Sequence, residues 1–94
     1  MYKVRLSPQV EAFAQTLAPA PRRALRAALA GLAREQGDCK ALEDELEGWW
    51  RLRVGRHRVI FCYVAPHTID CLFAEDRKLV YEVFAAGLRE QMGQ

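Results

Sequence analysis

Arg51, Arg53, Arg56 and Arg58 all fall within the segment WWRLRVGRHRVIF, residues 49–61, and no acid stands among them. A planar guanidinium donates paired, charge-assisted hydrogen bonds to phosphate oxygens, so a row of arginines suits the holding of a phosphodiester. An unpaired buried charge is expensive. The arginines must therefore occupy a strand face turned away from the main core. Trp49 adjoins the run as a base-stacking platform would.

Other chemistries find little support. Serine and threonine occur only at Ser7, Thr16 and Thr68, none set beside a His/Asp pair, so a serine-type triad is not expected. No Gly-rich phosphate loop, HExxH or CxxC is present. Cys62 and Cys71 read as half-buried thiols, and with His57 and His67 at turns no metal site or cofactor is expected.

The elements that carry these residues follow from periodicity. YKVRL, residues 2–6, alternates as a short strand, and Ser7-Pro8 supplies an N-cap and a first helical proline. Val10, Phe13, Ala14 and Leu17 mark one helix, and Leu25, Ala28, Leu29 and Leu32 mark a second beyond the break at 18–21. An acidic connector, residues 38–48, leads to strands at about 49–54, 57–64 and 69–74, with turns at Gly55-Arg56 and Pro66-His67. KLVYEVFAAGLREQ reads as a closing helix. The expected fold is α+β, in the order β-α-α-β-β-β-α. A four-stranded antiparallel sheet should carry the helical hairpin on one face.

With two-residue turns, Arg53 faces Arg58 and Arg58 faces Glu75, while Phe61 faces Leu72 and Cys62 faces Cys71. Trp50, Leu52, Val59, Phe61, Tyr63, Leu72 and Ala74 then share an apolar face, and Arg53, Arg58 and Glu75 form a row on the other, with Arg51 alongside. Two facing arginines repel. Either an anion sits between them, or they fan into solvent or are neutralised by Glu75 and the acidic connector.

Ninety-four residues at net charge +2 suit one domain. The charge is polar along the chain: +4 over residues 1–37, −4 over 38–48, +4 over 49–65 and −2 over 66–94. The basic pole is the candidate partner surface. No apolar run approaches a membrane span, and no secretory signal opens the chain, so a cytoplasmic protein with reduced cysteines is expected.

Leu46-x-Gly48, then Trp50-Arg51-Leu52-Arg53, His57-Arg58-Val59-Ile60-Phe61 and Arg77-x-x-x-Tyr81, together resemble the RelE/ParE superfamily of toxins from bacterial type II toxin–antitoxin pairs. The resemblance covers essentially the whole chain as a single toxin domain, 1–94. Its RelE-like branch comprises metal-independent endoribonucleases that cut mRNA in the ribosomal A site. Carried over by position, that activity would rest on Arg51, Arg53, Arg58 and Tyr81. Trp49, Arg56, His57, Arg77 and Lys78 are the candidate substrate contacts beside them. The family's lysines on the first basic strand are arginines here, and arginine is a poor general base. Glu75 stands where some members carry a basic residue; it is either the base or a salt-bridge partner that quenches the site. The resemblance also implies a small, partly disordered antitoxin. The alternatives are a ParE-like inhibitor of DNA gyrase and a non-catalytic RNA- or protein-binding module.

Overall fold

Ser7 ends the first strand and starts the first helix at once. Its Oγ accepts from the Val10 amide at 3.2 Å and donates to the Leu72 carbonyl at 2.8 Å, so the N-cap is also pinned to the sheet. The computed structural model describes residues 1–76 and 79–91. In chain order it contains β1 (Lys3–Leu6), α1 (Pro8–Thr16), α2 (Pro19–Gly31), β2 (Asp38–Ala41), β3 (Trp50–Val54), β4 (His57–Val64), β5 (Thr68–Asp76) and α3 (Leu79–Gln91).

The sheet has five strands in the order β1-β5-β4-β3-β2, with β1 parallel to β5 and the other pairs antiparallel. The expectation of four antiparallel strands is corrected twice. The helical hairpin carries the chain from β1 to the far edge, and the meander that follows brings β5 back beside β1 in parallel. The acidic connector also begins with a strand, β2, which pairs Asp38 with Arg53 and Lys40 with Arg51. Entry to β2 requires glycine: Gly37 has φ 119°, and a Cβ there would lie 2.9 Å from Leu52 Cδ1.

The first hairpin keeps its expected register, Val54 opposite His57 through Trp50 opposite Phe61. Gly55, at φ 60°, supplies the positive φ that such a two-residue turn needs. The second hairpin is shifted near its turn, where Val64 pairs with Thr68 across a three-residue loop that includes His67 at φ 46°. A bulge between Ile60 and Phe61 restores the expected pairing from Ile60–Phe73 onward. Phe61 therefore faces Cys71, not Leu72, and Cys62 faces Asp70, not Cys71.

Each face of the sheet buries a cluster. Under α1 and α2 lie Leu52, Val59, Phe61, Ile69, Cys71 and Ala74, packed on Val10, Ala14, Leu25, Leu29 and Leu32. Trp50, expected in this core, is half-buried at its border and stacks on Phe61 with ring centroids 6.3 Å apart. The extra residue of the bulge, Leu72, joins the opposite cluster, where Ile60, Phe73 and Trp49 meet Phe84 and Ala85 of α3. The second face is thus partly covered by α3 rather than wholly open to solvent.

Candidate functional site

Strand pairing aligns four side chains in one row across the sheet: Asp38 on β2, Arg53 on β3, Arg58 on β4 and Glu75 on β5. Two facing arginines are flanked by one acid on each side. Alternation places Arg51, Ile60 and Phe73 on the same face. Tyr81, in the first turns of α3, packs half-buried against the cluster of Ile60 and Phe84. The described strands and helix therefore bring Arg51, Arg53, Arg58, Glu75 and Tyr81 to one face.

Asp38 is the residue that sequence reasoning did not single out. Its Oδ1 accepts from Arg51 Nη1 at 3.1 Å, and its Oδ2 lies 3.0 Å from Arg53 Nε. The same Arg51 nitrogen also donates to the Asp38 carbonyl at 2.9 Å. The hydrogen bond from Arg51, with the charges of Arg51, Arg53 and Arg58 behind it, holds the Asp38 carboxyl below the ordinary aspartate range. The signal available beforehand was charge alone: the −4 connector directly precedes the +4 hairpin.

Arg58 is held differently. Its Nη1 donates to the carbonyls of Gly55 and His57, both at 3.1 Å, so the turn fixes the guanidinium. Among the described residues no ion pair joins it to Glu75. The Glu75 carboxylate instead accepts from the Asp76 amide at 3.0 Å. The row thus holds one clamped acid and one acid free of both arginines among the described residues.

The other sequence-predicted contacts disperse. Trp49 packs edge-on against Phe84 at 5.0 Å between centroids, beneath α3 rather than out in a groove. His57 sits on the helical-hairpin face, 12% exposed, with Nδ1 2.8 Å from Asp76 Oδ1 and its ring 5.3 Å from that of Phe13. Arg56, in the turn, reaches Asp76 at 3.6 Å. Arg77 and Lys78 lie outside the described residues. Among the described residues no three His, Cys, Asp or Glu side chains converge as a metal site would require, and no helix is long and apolar enough to cross a membrane.

The same fold occurs in known structures. A chain of the toxin–antitoxin complex RelBE2 from Mycobacterium tuberculosis superposes with TM-score 0.69 and 24% identity, over 81% of this chain and 91% of that one. A chain of the archaeal RelE–RelB complex from Pyrococcus horikoshii shares 29% identity with TM-score 0.62, over 82% and 96%. The chain has the RelE/ParE-like toxin fold. YafQ from E. coli, at 11% identity, still gives TM-score 0.64 over 84% of this chain and 97% of its own. No family model matches the chain, and no curated protein does. Across that identity range, the RelE/ParE-like framework is carried by backbone architecture more than by residue identity.

Proposed function

We propose that the protein is the toxin of a bacterial type II toxin–antitoxin pair and that it cuts mRNA on the ribosome. The observation that carries the reading is the Arg53–Arg58 pair, two cations facing each other on adjacent strands with Arg51 beside them and Tyr81 on the same face. Stability alone does not favour that pair. A phosphodiester between the two guanidiniums turns their repulsion into binding.

In the reaction, the ribose 2′-OH attacks the adjacent phosphorus. The O2′–P bond forms as the P–O5′ bond breaks, leaving a 2′,3′-cyclic phosphate and a free 5′-OH. Glu75 takes the 2′-OH proton, because Asp38, clamped by two guanidiniums, is the weaker base. Arg53 and Arg58 stabilise the charge that builds on the equatorial oxygens. The Tyr81 hydroxyl supplies a proton to the departing 5′ oxygen and recovers it from solvent. No step calls for a metal.

The partners follow from the same reading. Two of the similar structures are toxin–antitoxin complexes, which supports an antitoxin as the neutralising partner here. A partly disordered acidic segment that folds on binding suits the basic pole, with an association rate that falls as salt rises. The site of action is the cytoplasm, where translating ribosomes are found. The test is primer extension on mRNA from an in vitro translation reaction, run beside a gyrase supercoiling assay. New 3′ ends within ribosome-bound message are the expected result. Blocked supercoiling without cleavage would replace this reading with gyrase inhibition.

A further inference from the structure

The arginines of the row are not equally available. Arg51 is the less accessible: its side chain is 15% exposed, and its Nη1 donates to both the carboxylate and the carbonyl of Asp38. Arg53 approaches Asp38 through Nε, and its side chain is 53% exposed. Among the described residues no hydrogen bond engages its terminal nitrogens. Among the described residues Arg58 uses Nη1 alone, on the two turn carbonyls. The more open side of the face is therefore that of Arg53 and Arg58, while on the Arg51 side the two carboxylate oxygens of Asp38 lie between two guanidiniums. That is the arrangement a phosphate would adopt.

We propose that Asp38 is a resident phosphate mimic, which occupies the Arg51 side of the face and confines a ligand phosphate to the Arg53–Arg58 side. The inference rests on reading this face as a phosphate site. Strand pairing fixes where Asp38 stands, opposite Arg53 in the β2–β3 register. Its charge also weakens the attraction of the face for polyanions in general. Three arginines with one aspartate sum to +2, where the arginines alone would sum to +3. A ligand must then be recognised by where its phosphate sits, not by charge alone.

The test uses the whole chain, labelled with nitrogen-15, and follows the arginine Nε–Hε resonances as inorganic phosphate is added. Asp38→Asn removes the charge and keeps the shape, and Asp38→Ala removes both. Phosphate should bind about fivefold tighter once a unit charge at contact distance in water is gone. The Arg51 resonance should respond in the variants but not in the wild type. No gain in either variant, or an Arg51 response in the wild type equal to that of Arg53 and Arg58, overturns the proposal. A parallel titration with an uncleavable 2′-O-methyl RNA separates the two claims. If wild type and variants all fail to bind that RNA while the phosphate gain appears, the RNA reading falls and the phosphate mimic stands. If RNA binds and the phosphate gain is missing, the mimic falls and the RNA reading stands.

Discussion

The two faces of one sheet are built from the same strands, residue by residue in alternation, yet they obey different rules. On the α1/α2 face the core is apolar, with Leu52, Val59 and Phe61 fully buried and the His57–Asp76 pair at its border. On the α3 face the strands carry Ile60 and Phe73 under the helix, but Arg51, Arg53 and Arg58 beyond it. Burial fixes the first face. The second keeps only enough burial to seat α3 and leaves its charges to be organised by strand register and by turn carbonyls. Stability and chemistry can therefore be altered almost independently at adjacent positions of a strand, such as Leu52 and Arg53.

That independence can be broken or sharpened by substitution. Leu52→Ala empties a fully buried site and should cost about 2–5 kcal/mol in denaturant unfolding, while cleavage per folded molecule changes little. Arg58→Ala should do the reverse: cleavage falls by about 100- to 1000-fold on loss of a transition-state donor. Its melting temperature should hold or rise, since one of two facing like charges is gone. Glu75→Gln keeps shape and loses the base, so cleavage should drop on the order of a hundredfold. If Glu75 is only a surface acid, cleavage stands and stability moves by at most about 1 kcal/mol.

The smallest effects are those of pH, and the faces should respond at opposite ends of the scale. The Asp38 carboxyl is depressed in the fold, so its contribution is present above the ordinary value of 3.8 and is lost as pH falls through the lower folded value. Asp38→Asn should flatten that acid limb in thermal melts. On the α1/α2 face, burial pushes the Cys71 thiol from 9.0 up to about 12, and burial with the Glu35 hydrogen bond pushes the Tyr63 hydroxyl from 10.0 up to about 12. Groups raised in the fold contribute below their unfolded values and lose that contribution as pH climbs through the folded ones. Cys71→Ala should therefore blunt the alkaline loss between about pH 9 and 12, compared with wild type.

The sequence was most legible where a turn sets the register. Gly55-Arg56 admits one pairing of β3 with β4, and the Arg53–Arg58 opposition follows from it. The next hairpin was less legible because a three-residue loop and a bulge offset each other. The pairing is as expected at Arg58–Glu75 but slipped at Phe61, and Leu72 changes face. β2 was hidden because it is an exposed edge strand whose only inward packing residue is Cys39, set in an acid-rich stretch. With β2 hidden, Asp38 could be read only as one of several connector acids. His57 looked like a neighbour of the arginines in sequence, but alternation puts its side chain on the other face, against Phe13 and Asp76.

The most direct test of the central claim compares wild type with Arg58→Ala on translating ribosomes, at equal folded concentration, counting new mRNA 3′ ends by primer extension. The account predicts cleavage by the wild type, at least about a hundredfold less by the variant, and equal or higher thermal stability for the variant. Cleavage at the wild-type rate by Arg58→Ala, or no cleavage by the wild type while gyrase supercoiling is blocked, would contradict it.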